Sequence, residues 1–330
     1  MRVQRRHVLQ LAAGGTAALA LPSLGRAAEK PLFPTATMVG GFTAGGTVDT
    51  LARRTAHNLS GLYADSVVVE NRTGAGGQIA AQYVARAAAD GRTILATPMS
   101  ILGIYVHTFD KLPYEVTDLE PVSLGCVFEF GFAVGPAVPQ SVKTVPQFFE
   151  WVKQNPNQAN FGSPASGSAP HFVGDLLGRR AGVPLTHIAF RGTQSAIVDL
   201  IGGQIPVVSG PLGEFLPHLK DGRVRVLGVS GANRSKFMPD VPTMIEQGFP
   251  NFVFAEWFGF YVPKGTPGNI INRLNTDLKV ALNAKDTIDG LALMGLEARW
   301  STPQQLKEML EADTALWGPL IAEIGFKVET

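Results

Sequence analysis

Thr37-Met38-Val39-Gly40-Gly41-Phe42-Thr43-Ala44-Gly45-Gly46-Thr47-Val48-Asp49-Thr50-Leu51-Ala52 sets a short apolar strand, a glycine-rich loop and the start of a helix end to end. Val48, Leu51, Ala52, Thr55, Ala56 and Leu59 recur at helical spacing, so that helix has one face to bury. The phrase returns at Ser66–Glu70, with Thr73-Gly74-Ala75-Gly76-Gly77 and a helix through Ile79, Ala80, Tyr83, Val84 and Ala87. Further on, strands at 128–134, 159–161, 187–190 and 205–208 alternate with helices, and helices are read over 267–283 and 302–324. Such alternation calls for mostly parallel sheets covered on both faces, and 330 residues with this many units call for two of them. The expected architecture is therefore α/β with two lobes, each a mostly parallel sheet flanked by helices. Lobe 1 is read as 28–128 with 254–330, and lobe 2 as 129–253.

The chain opens on a different pattern. Arg5-Arg6 precedes an apolar run from Val8 to Leu21, Pro22 breaks it, and Gly25-Arg26-Ala27 supplies small residues for cleavage. This reads as an export signal over 1–27, cut near Ala27; the run is short for a membrane anchor. The formal net charge of +1 includes the signal's four arginines, and without them 24 basic face 27 acidic side chains. Nothing here suits a nucleic-acid partner. Cys126 is the single cysteine, so an intramolecular disulfide is excluded, and a periplasmic location is tolerated by near-absence of thiols.

Glycine-rich loops that open helices have a common chemistry. The first amides of a helix lack intrahelical acceptors, the helix dipole adds positive potential, and glycines let an anion approach. Gly45-Gly46-Thr47, Gly74-Ala75-Gly76-Gly77 and Gly167-Ser168 are candidates for such a role, although any one of them also serves as a plain tight turn. Asp49, in the first turn, is read as a structural lock on its loop, because an acid in direct contact would repel a carboxylate. No catalytic signature is complete: Ile79 stands at the last glycine of a dinucleotide fingerprint, and Ala232 at the last glycine of a nucleophile elbow. The histidines are not spaced as metal ligands, and no cofactor is expected. His171 could act as a base for Ser168, but a capping or packing role is the stronger reading.

Five blocks carry a resemblance: Phe42-x-x-Gly45-Gly46-x-x-Asp49-x-x-Ala52-Arg53, Val69-Glu70-Asn71-Arg72-x-Gly74-Ala75-Gly76-Gly77, Gly162 to Ser168 followed by His171, Pro239 to Gly248, and Trp257-Phe258-Gly259. In this order they resemble the Bug family of extracytoplasmic solute receptors, the binding components of tripartite tricarboxylate transporters. The resemblance implies a type II periplasmic binding fold that closes on a small organic acid, such as a di- or tricarboxylate. It also implies a non-enzymatic role, a monomer, and integral membrane permease subunits as partners. Carried over by position, the ligand contacts are Phe42, Ala44, Gly45, Gly46, Thr47, Thr97, Ser100, Ser163, Gly167, Ser168, Arg191, Gly192, Thr193, Ser209 and Gly210. The sequence departs from the family pattern at Thr43-Ala44, at Arg191 and at Ser209-Gly210, where an acidic residue is frequent. Two rival readings are a ligand sensor for a signalling kinase and an exported hydrolase using Ser168 or Ser230 with His171.

Overall fold

The computed structural model describes residues 30–220 and 222–328, so the export signal read over 1–27 lies outside the described residues. In chain order the elements are β1 (Phe33–Gly40), α1 (Thr47–Leu59), β2 (Ala64–Asn71), α2 (Gln78–Ala85), β3 (Thr93–Pro98), α3 (Tyr105–Thr108), β4 (Leu119–Val134) and α4 (Val145–Gln154). They continue with β5 (Asn160–Ser163), α5 (Ala169–Arg180), β6 (Thr186–Ala189), α6 (Thr193–Ile201), β7 (Val207–Pro211), β8 (Arg225–Val229) and β9 (Ala255–Pro263). The chain finishes with α7 (Gly268–Asn283), α8 (Lys285–Ala292), β10 (Glu297–Ala298) and α9 (Pro303–Ile324).

Strand pairing follows the order β2-β1-β3-β9-β4-β7-β5-β6. β1 is parallel to β2 and β3, and β5 is parallel to β6 and β7, as strand–helix alternation requires. Antiparallel pairing enters with β9, which lies against β3, and with β4, which belongs to both halves. Its first part pairs with β9 from Leu119↔Pro263 to Glu129↔Ala255. From Phe130 to Val134 it pairs instead with β7, and from Gly131 to Val134 with β8. One continuous strand thus feeds two sheets, and the result is a two-lobed α/β fold.

Each half buries what its periodicity promised. In α1, Val48, Leu51, Ala52, Thr55, Ala56 and Leu59 are buried, and Arg53 and Arg54 are exposed. α4 begins at Thr144, whose side chain accepts from the Gln147 amide, and buries Val145, Phe148, Phe149 and Val152. Phe148 and Phe149 meet Phe132 of β4 at centroid distances of 5.4 and 6.1 Å. Cys126 is wholly buried opposite Phe258 of β9, with Ala298 of β10 on its other side, and burial drives its thiol pKa far up.

Two close approaches need glycine. Gly76 and Gly77 take φ of 63° and 97°, and a Cβ there would fall 2.5 Å from Tyr105 Oη or 2.4 Å from Ile101 Cδ1. Elsewhere, Gly213, just after β7, lies on the main chain of Met294 and Gly295, which follow α8.

Candidate functional site

β1, β3, β5 and β7 deliver their carboxyl ends to one cavity, of about 510 Å³ including its mouth. Open α/β sheets place ligands in such a position. Three helix starts open onto it: Gly46-Thr47-Val48 of α1, Ser168 and Pro170 of α5, and Gly192-Thr193 of α6. α1 comes from one half of the molecule, α5 and α6 from the other. The remaining wall is largely apolar, with Phe42, Pro98, Ile101, Phe128, Pro164, Pro211 and Phe258.

The halves touch across this cavity. The Ala169 amide at the start of α5 donates to Ser100 Oγ at 3.1 Å. Glu214, beyond β7, accepts from the Thr47 amide at 3.1 Å, from Thr47 Oγ1 at 2.8 Å and from Gln194 Nε2 at 3.1 Å. Its carboxylate therefore takes up two of the donors at the start of α1. Burial raises the Glu214 pKa, and the bonds from Thr47, Gln194 and Thr193 pull against that rise without cancelling it. A second acid, Glu256 of β9, accepts from the Ser100 amide at 2.9 Å and from Ser100 Oγ. Burial pushes its pKa up to about 7 against the lowering effect of those bonds.

The loop before α1 is fixed from beneath. Asp49 accepts from the Gly45 amide at 2.9 Å, from Asn71 Nδ2 at 2.9 Å and from Arg53 Nε at 2.9 Å. Burial alone would raise the Asp49 pKa, but the bonds from Arg53, Gly45 and Asn71 outweigh it and hold the carboxyl below its usual range. Asp49 is not on the cavity wall.

Of the contacts expected from sequence, the wall contains Phe42, Gly46, Thr47, Ser100, Ser168, Gly192 and Thr193. The others lie off it. Ala44, Gly45 and Arg191 are exposed beyond the wall. Thr97 is buried in β3 opposite Gly259, and Ser209 and Gly210 are buried in β7 opposite Phe132 and Gly131. Ser163 bonds His187 Nε2 at 2.7 Å, and Gly167 donates its amide to His171 Nδ1 at 3.0 Å. The Gly74–Gly77 loop stands behind the wall, where the Gly76 carbonyl accepts from Tyr105 Oη at 3.0 Å. Glu214 and Glu256 were not among the sequence candidates. The one signal available was an isolated acid inside an apolar run, Leu212-Gly213-Glu214-Phe215 and Ala255-Glu256-Trp257-Phe258.

The rival hydrolase chemistry lacks its geometry. Ser168 Oγ donates to the Ala165 carbonyl at 2.7 Å, and Ser230 Oγ donates to the Phe254 carbonyl. His171 instead stacks on His187 with centroids 3.8 Å apart and packs against Phe326.

The sequence profile of the tripartite tricarboxylate transporter family receptor matches residues 51–326. The chain belongs to this receptor family. Protein BugT of Bordetella pertussis is 32% identical over 294 residues, 88% of this chain and 90% of BugT. An R. palustris protein solved with adipate superposes with a TM-score of 0.85 at 31% identity, covering 91% of this chain and all of that one. MatC from Rhodopseudomonas palustris, solved with bound malate, gives 0.80 at 29% identity, covering 88% and 99%. As a Bug-type receptor, the chain is a solute-binding protein and not an enzyme. Among the described residues no helix is long and apolar enough to cross a membrane.

Proposed function

We propose that this receptor captures a small organic acid in the cavity between its lobes, in the periplasm, and hands it to integral membrane permease subunits of a tripartite transporter. The observation that carries the reading is the convergence of the first turns of α1, α5 and α6, drawn from both halves, on one hollow. Thr47 has already given its amide to Glu214, so a ligand carboxylate takes the remaining first-turn donors, such as the Val48 and Thr193 amides. The structural relatives solved with malate and adipate support a carboxylate ligand. Lobes of 28–128 with 254–330 and of 129–253, hinged on β4 and β9, fit the handover of β4 pairing after Glu129. The cavity is complete within one chain, which suits a monomer.

A thermal-shift panel of malate, adipate, aromatic acids and amino acids tests this. At a thousandfold excess over its dissociation constant a true ligand adds about 4 kcal/mol of stability. An unchanged melting temperature across the whole panel would overturn the reading.

A further inference from the structure

The polar equipment of the cavity is lopsided. Among the described residues, its wall includes two buried carboxyl groups, Glu214 and Glu256, and no lysine or arginine. Glu214 has a protein donor on each of its oxygens. Glu256 differs. It is 97% buried, at a relative exposure of 3%. Both bonds from Ser100 go to Oε1, and no described residue donates to Oε2. Oε2 is not among the enclosed side-chain oxygens that lack a partner, so it reaches accessible space, and Glu256 lines the cavity, where a guest can donate to it.

We infer that Glu256 is a specificity-determining acceptor, and that the ligand is an α-amino acid with one carboxylate, an ammonium group held by Glu256, and an apolar side chain lying against Phe42, Phe128 and Phe258. This rests on the organic-acid reading and narrows it. A ligand's single carboxylate is served by the helix starts. A second carboxylate finds no cation on the wall and meets acids that are already there, whereas an ammonium supplies both a donor and a counter-charge. The raised pKa of Glu256 describes the same deficit, because burial without a cation disfavours its charged form. The apolar wall disfavours a ligand that is polar along its whole length.

Two probe series share a skeleton and differ in one substituent. Phenylalanine, 3-phenylpropanoate and benzylmalonate carry ammonium, hydrogen and carboxylate at the same carbon, and so do leucine, 4-methylpentanoate and isobutylmalonate. In calorimetric titrations of the mature full-length chain at mildly alkaline pH, the amino member of at least one series should bind at least about tenfold more tightly than its desamino partner, and more tightly still than the diacid. Glu256→Gln should bring the ratio of amino to desamino affinity down by at least about tenfold, whatever it does to the affinities themselves. The wild-type ranking decides the matter even if that variant folds poorly. A diacid that binds as well as the amino acid overturns the inference and leaves the organic-acid reading intact. So does binding of malate or adipate with neither series bound. Failure of every acid, malate and adipate included, removes the organic-acid reading and this inference with it.

Discussion

Replacing His171 and His187 together by glutamine is expected to flatten the acid limb of the stability curve by about 2 kcal/mol per pH unit. Both rings are neutral in the fold. Burial brings the pKa of His171 to about 3, helped by the neighbouring His187, and burial alone brings His187 to about 4. Their ordinary value is 6.5. A lowered folded-state pKa means that the unfolded chain binds protons first. The stabilisation is therefore complete above pH 6.5 and drains away as pH falls toward 4 for His187 and toward 3 for His171. Two fully shielded rings would give a slope of about 2.7 kcal/mol per unit; partial burial of His187 reduces it. Glu256 works in the opposite direction. Its pKa is raised to about 7, so its contribution is present at low pH and lost as pH rises through that value. For this reason the difference between wild-type and variant urea melts is the quantity to measure, from about pH 7.5 down to about pH 5. Parallel curves would show that the rings titrate normally.

Gly213→Ala is expected to cost at least about 3 kcal/mol, with a fall of at least about 6 °C in Tm. The added Cβ would fall 1.4 Å from the Met294 carbonyl oxygen and 1.9 Å from its carbon. These are main-chain atoms with no rotamer to yield. Nor is there slack on the partner's side, because Gly295 has a φ of 60° and a Cβ on it would fall 2.8 Å from Gly213 Cα. The residue after Gly213 is Glu214, so any displacement also draws that carboxylate off Thr47. Loss of ligand-induced stabilisation should therefore accompany the fall in Tm. Gly268→Ala is the control, because nothing lies within 4 Å of its Cβ position. Equal stability of the two variants would mean that the chain relaxes around the new methyl.

Much of the fold was legible because its determinants are local. The buried stripe of α1 and the alternation of strands with helices follow from periodicity, which the sequence displays directly. The antiparallel run of β4 against β9 is not local. Residues 119–129 meet residues 255–263 from far along the chain, and nothing in either segment specifies the other. The site divides in the same way. Helix starts were visible as Gly-Gly-Thr and Gly-Ser, and those of α1, α5 and α6 share the cavity. Whether a loop faces the cavity or stands behind it depends on which neighbour packs over it. Thus the Gly74–Gly77 loop is covered by Tyr105 and Ile101, and Ser209-Gly210 is sealed inside β7. Glu214 and Glu256 were hidden for a further reason. A carboxyl group in an apolar run announces a buried polar contact but not the identity of its partner.

The position of Cys126 gives the chain an internal clock. Its backbone runs between β9 and β10, its side chain is wholly buried on a face of the sheet, and burial keeps it in the unreactive thiol form. A thiol-labelling reagent added to the native protein reacts only when the packing that buries Cys126 opens. Since Phe258, the residue opposite, is itself part of the cavity wall, the labelling rate with and without a guest reads out how firmly occupancy holds the packing around β4 closed.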